Sequence, residues 1–196
     1  MDKTWLLQKL DLFKLLPHSV VEEIDSHSLM ESYKKGDSLY VGLSDVDYIY
    51  ILKNGYIKIT FSNYEGKELI VEILKPGEIF GVLDMAQKED SYRSILSDAE
   101  NIESAVAISD ITICRVPQKE FAYIAKNCPE LNLKIIKIVG LRFKKITSKI
   151  ANLLYKDLDS RIAWALIELY EKFGKNDPVN TRLIGIKLTT KRLQLL

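Results

Sequence analysis

Along the chain the spacing of apolar positions changes period more than once. Between residues 4 and 30, Leu6, Leu7, Leu10, Phe13 and Leu16 recur at helical spacing. Pro17 breaks that run, and "PHSVVEEIDSHS" reads as a second short helix. From Met30 the period drops to two, predicting strands over about 31–34, 38–41 and 48–52. In "LKNGYIKI" the pair Asn54-Gly55 suits a type I′ hairpin turn. Ile57, Ile59 and Phe61 share one face of the following strand. Residues 63–67 turn the chain again, and Leu69, Val71 and Ile73 alternate beyond. "VEILKPGEIFG" turns at Pro76-Gly77 and crowds Gly81 between apolar residues, which marks a close approach at that glycine. After a polar run, "SAVAISDITICRV" supplies two strands about Ser109-Asp110. Seven or more short strands at this spacing predict an all-β barrel or sandwich.

At Pro117 the helical period returns. "PQKEFAYIAKN" is one short helix, and Cys128-Pro129 opens a long one with proline in its first turn. Leu133, Ile136, Gly140, Phe143, Ile146, Ile150 and Leu153 recur there at threes and fours. Such a stripe packs either on the chain's own barrel or on a copy of itself, and its length favours a two-fold dimer. "KDLDSRIAWALIELYEKFG" is amphipathic, with Ile162, Ala165, Leu166 and Leu169 inward and Gly174 ending it. A loop, "KNDPVNTRLIG", leads to "IKLTTKRLQLL".

Composition narrows the function classes. The 196 residues are 47% hydrophobic and 28% charged, an ordinary globular balance. No apolar run reaches the ~18 residues of a membrane span, and the first residues do not read as an export signal. A cytoplasmic protein without membrane contact is expected. Two cysteines and two histidines give neither a disulfide framework nor a metal-ligand set. Cys114 falls in a strand pattern and reads as core, with redox chemistry the alternative; His18 and His27 read as surface or cap residues. No nucleophile–base pair and no phosphate-binding glycine loop is present, so neither an enzyme nor a cofactor is expected. Net charge is +1, yet residues 131–156 hold seven Lys/Arg and no acid. The stretch is a solvated helix face or a footprint for an anionic polymer.

Several segments together, "ILKNGYIKI", "LKPGEIFG", "ISDITICRVPQKEF", "ITSKIANLLYKDLDSRIAWALIEL" and "IKLTTKRLQLL", resemble the catabolite-activator/fumarate–nitrate regulator (Crp/Fnr) family of bacterial transcription factors. The resemblance implies an α+β chain. It begins with a double-stranded β-helix (a β-roll, or jelly roll) over residues 1–128. A dimerisation helix over 129–155 follows, then a winged helix-turn-helix, incomplete here, over 156–196. In that family the Gly81 position opens a short helix whose N–H groups face a cyclic phosphate. A glutamate next to it accepts from the ribose, and an arginine pairs with the phosphate. Here Val82 follows Gly81. The ungapped register puts the arginine position at Asn101, beside Ile102 and Glu103, while a second register uses Arg93-Ser94. Thr147 and Ser148 match the pair that contacts the purine, although hydroxyls on a helix also bond to their own carbonyls.

Burying a phosphate without a partner is costly, so the expected effector is not cyclic AMP. Its candidate contacts are Phe80, Gly81, Arg93, Thr147 and Ser148. At the DNA end, Leu188-Thr189-Thr190 fits the start of the first helix of a helix-turn-helix, with Thr189 as N-cap. Thr189, Lys191 and Arg192 are candidate phosphate contacts, and no recognition helix follows. Either a longer chain carries one, or the sequence ends here. The leading expectation is a homodimeric regulator with operator DNA, RNA polymerase and an unidentified small molecule as partners. A hinge near 154–159 would relay the effector's differential binding. The second is a dimeric sensor or interaction module without DNA activity.

Overall fold

A computed structural model of the chain describes residues 13–14, 16–41, 47–81, 101–176 and 182–184. They fall into two compact units, Met1–Ile138 and Val139–Leu196.

The first unit is an antiparallel β-roll with helices after it. Helix α1 (His18–Ser26) precedes strands β1 (Leu29–Tyr33), β2 (Ser38–Val41), β3 (Tyr48–Asn54), β4 (Ile57–Asn63), β5 (Glu68–Leu74), β6 (Ile79–Gly81), β7 (Asn101–Ala107) and β8 (Ile111–Pro117). Helices α2 (Gln118–Asn127) and α3 (Pro129–Tyr155) follow. Two four-stranded sheets run in the orders β1-β8-β3-β6 and β2-β7-β4-β5.

These pairings overturn the expected hairpin at Asn54-Gly55. Strand β3 is flanked by β8 and β6, so it offers β4 no free side, and the turn carries the chain into the other sheet. Gly55 sits at φ +80°, and a Cβ there would lie 2.2 Å from the Asp110 carbonyl oxygen. Neighbouring corners are tied together. The Ile108 N–H donates to Tyr56 O at 2.9 Å and the Tyr56 N–H to Ser109 Oγ at 2.9 Å. Lys34 Nζ donates to Asp110 Oδ2 at 2.8 Å, which holds the Asp110 carboxyl below its ordinary range and the Lys34 ammonium above its own. Among the described strands of the roll, only β4 and β5, joined through residues 64–67, are paired neighbours in sequence.

Alternation in β3, β6 and β8 divides two cores. Ile49, Ile51, Ile79 and Val116 face helices, meeting Ile24 of α1, Phe121 of α2 and Leu131 of α3. Cys114 and Cys128 are buried in that layer. Tyr50, Leu52, Phe80 and Ile113 face the opposing sheet and meet Tyr40, Ile57, Leu74 and Ala105. The pairing of β4 with β5 slips between Ile59 and Thr60, so Leu69 opposes Phe61 while Ile73 opposes Lys58. Leu69 and Ile73 therefore point to opposite faces, a correction to the simple alternation. His27 caps α1, its Nδ1 2.8 Å from Glu23 O, and exposed His18 sits 3.2 Å from Glu22.

In the second unit α3 runs out and α4 (Leu158–Phe173) begins at Asp157, whose carboxylate accepts from the Ser160 N–H at 2.9 Å. That bond holds the Asp157 carboxyl below its ordinary range. Gly174 ends α4, and the expected loop contains a hairpin of β9 (Gly174–Asn176) and β10 (Arg182–Ile184). Leu169 is buried, but Ile162 and Leu166 stay 48% and 40% exposed, against the inward face expected of them. The hairpin adjoins the C-terminal part of α4 by sequence and leaves the earlier turns of its apolar stripe open. The stretch from residue 185, with Thr189, Lys191 and Arg192, lies outside the described residues, as does the recognition part of any helix-turn-helix.

Candidate functional site

Gly81 closes β6, opposite Ile49 of β3. Its φ is +96°, and a Cβ would come 2.8 Å from Tyr48 O and 3.1 Å from Tyr50 Cδ2. The approach that the sequence marked at this glycine is thus made by the protein's own strand β3. Phe80 points the other way. Its ring stacks on Tyr50 at 5.0 Å and on Tyr40 at 6.5 Å, and the residue is 3% exposed. Aromatic contacts of this kind add to the area they bury. Val82, Arg93 and Ser94 lie outside the described residues.

Strand β7 starts at Asn101, opposite Asn63, and Glu103 opposes Phe61 on the face shared with Ala105. The Glu103 carboxylate accepts from the Tyr40 hydroxyl at 2.6 Å. The ungapped register had to supply a cation near this point; it supplies an acid held by a tyrosine. A cation that sequence reasoning missed lies on β8. Arg115 stands over the Tyr48 ring at 4.5 Å, with its Nε 3.0 Å from Glu31, which also accepts from Tyr33 Oη at 2.7 Å. Only the pairing of Arg115 with Leu29 and Tyr50 brings these groups together, and no local spacing announces it.

The other face of the β2–β7–β4–β5 sheet was missed as well. Lys58, Thr60 and Ser62 alternate along β4, and Ser104 of β7 lies directly opposite Thr60. Lys58 and Glu68 form a half-buried ion pair on this face. The even-numbered polar positions between Ile57, Ile59 and Phe61 were the available signal.

Helix α3 has two stripes. Leu131 and Ile135 enter the helix-side core, with Ile138 packed against it. Leu133, Ile136, Phe143, Ile146, Ile150 and Leu153 are 44% to 69% exposed, and a Cβ on Gly140 would meet nothing within 4 Å. Thr147 and Ser148 are exposed, and the Thr147 hydroxyl donates back to Phe143 O at 3.1 Å and Lys144 O at 2.9 Å. No group of metal-ligating side chains occurs among the described residues, and no helix among them is long and apolar enough to cross a membrane.

Comparison with known proteins settles the affiliation of this roll. The cyclic nucleotide-binding domain family matches residues 30–128, just over half of the chain. The chain belongs to the cyclic nucleotide-binding domain family. Around that domain it is Crp/Fnr-like. It is 20% identical over 172 residues to the CRP-like cAMP-activated global transcriptional regulator of Mycobacterium tuberculosis, covering 88% of this chain and 72% of that one. A crystallised Crp/Fnr-family transcriptional regulator from Eubacterium rectale superposes with a TM-score of 0.63 at 20% identity, over 81% of this chain and 70% of that one. The domain also occurs elsewhere. Neuropathy target esterase sws of Drosophila melanogaster is 23% identical over 149 residues, 74% of this chain but 10% of that protein.

Proposed function

We propose that the chain is a homodimeric Crp/Fnr-type transcription regulator whose β-roll responds to a small molecule other than cyclic AMP. The observation that carries this reading is the outward stripe of α3. The helix seats Leu131 and Ile135 in its own domain, so the row from Leu133 to Leu153 remains for a second copy. The absence of cyclic AMP from the scheme rests on charge. The Val82 side chain can accept no hydrogen bond, and the acid at Glu103 raises the cost of an anionic phosphate beside it. Phe80 contributes its backbone only, and Gly81, Arg93, Thr147 and Ser148 remain the proposed contacts of the effector.

Effector binding biases the segment 154–159 between arrangements of the two DNA-binding ends. In each end Thr189, Lys191 and Arg192 contact phosphates, which position a protein on DNA without reading sequence. Operator DNA, RNA polymerase and a cytoplasmic location belong to the same proposal. A fluorescence titration of the full chain with cyclic AMP is expected to give no saturable signal; saturable binding at micromolar concentration refutes the effector assignment. Duplex-DNA retention that weakens steeply with salt supports the regulator. Its absence favours a dimeric sensor or interaction module.

A further inference from the structure

Lys58 and Glu68 are not cross-strand neighbours. Lys58 opposes Ile73, whereas Glu68 opposes Ser62. The two positions are separated by four rungs, roughly 13 Å of strand, yet ammonium and carboxylate are in contact. To meet, both side chains must lie along the sheet from opposite ends, crossing Thr60 and the Ile70 paired with it. Beneath that span Thr60 is completely buried, and its hydroxyl has no hydrogen-bond partner among the described residues. A buried hydroxyl without a partner is a standing cost that a native structure has reason to relieve.

We propose that the Lys58–Glu68 strap closes a latent site for a small carboxylate. The ligand's carboxylate replaces that of Glu68 at the Lys58 ammonium and accepts a hydrogen bond from Thr60. This rests on the reading of the roll as an effector domain. The chemistry favours a carboxylate because the closed strap already satisfies Lys58 with one, so the exchange at the ammonium is near neutral. The gain is the hydrogen bond that Thr60 lacks, together with rehydration of Glu68. Ser104, opposite Thr60, supplies a second hydroxyl. Ile70 and Ile73 are buried on the same face and flank the ligand with apolar surface, which suits an aryl or alkyl carboxylate better than inorganic phosphate.

The test uses the full chain with benzoate as probe, followed by amide shifts in two-dimensional NMR. Benzoate is expected to give saturable shifts over residues 58–62 and at Ser104, while benzamide and inorganic phosphate give none. Glu68→Gln frees Lys58 and tightens benzoate binding about tenfold; Thr60→Val weakens it about tenfold. Lys58→Met abolishes it. Thr60→Val also leaves the melting temperature unchanged or higher, since it removes an unpartnered group without changing shape. Wild-type shifts that fail to appear, benzoate binding that survives Lys58→Met, or equal binding of phosphate overturns the proposal. Light scattering on the same samples separates the two readings. A dimer that ignores benzoate sinks the strap alone, and a monomer sinks the regulator reading.

Discussion

Phe143 offers a stringent test of self-pairing. It lies mid-stripe on α3 and is 69% exposed. Fully burying a phenylalanine side chain stabilises by about 3 kcal/mol at most, so covering the surface still open on Phe143 is worth ~2 kcal/mol in each protomer. Two-fold symmetry counts the residue twice, giving ~4 kcal/mol. Phe143→Asp removes that term and places two carboxylates near one another at the seam. The dimer dissociation constant should rise at least about a thousandfold. Sedimentation equilibrium over a dilution series reads this directly, and circular dichroism checks that α3 persists. Tyr123→Asp is the matched control. Tyr123 on α2 is comparably exposed, at 61%, but lies off the stripe, so its substitution should leave association unchanged. A Phe143→Asp protein that dimerises within about threefold of wild type refutes the assignment of the stripe, because no such interface tolerates two buried carboxylates.

Other outcomes follow from single contacts. Gly81→Ala should destabilise the roll by at least ~1–2 kcal/mol in urea titration, since its φ and the Tyr48 carbonyl both oppose a Cβ. Tyr40→Phe takes the donor from Glu103 and should cost about 1–3 kcal/mol in the same assay. Asp157 and Asp110 are held low by the Ser160 hydrogen bonds and by Lys34 respectively, so their stabilisation is present above the unfolded-state value near ~4 and is lost as pH falls through the lower folded values. Asp157→Asn keeps a good cap but cannot titrate. It should preserve the protection of the Ser160 amide at neutral pH and flatten its loss in acid, measured by hydrogen exchange.

The elements of this chain were legible because their signals are local. Period-two alternation located β2 through β5 within a few residues, and Pro117 and Pro129 marked where α2 and α3 begin. Sheet membership was not legible. Asn54-Gly55 has the chemistry of a hairpin turn, but whether the next strand folds back beside β3 depends on β8 and β6, which lie far along the chain and occupy both of its sides. The same distance hid Arg115 from Glu31, a pair made by register, while Lys58 and Glu68, only ten residues apart, meet across four rungs that no spacing rule connects. The slip between Ile59 and Thr60 moved Ile73 to the opposite face, and no residue there carries a sequence mark for it. At Gly81 the crowding was legible but not its source, because a strand and a bound ligand demand the same missing Cβ.

The exchange of sheets at successive corners bears on how the chain is made. Among the described strands β1 finds its partner in β8, and β2 in β7, so both must wait while the ribosome delivers everything between. Until Ile111–Pro117 leaves the exit tunnel, the β2-β7-β4-β5 sheet and the β3–β6 pair can form, but β1 and one side of β3 remain unclaimed strand edges. Long-range closure of this kind is slow and vulnerable to association in the meantime. A ribosome stalled just before β8 would therefore present a sticky intermediate, whereas release after it lets a single late segment zip one sheet from both sides.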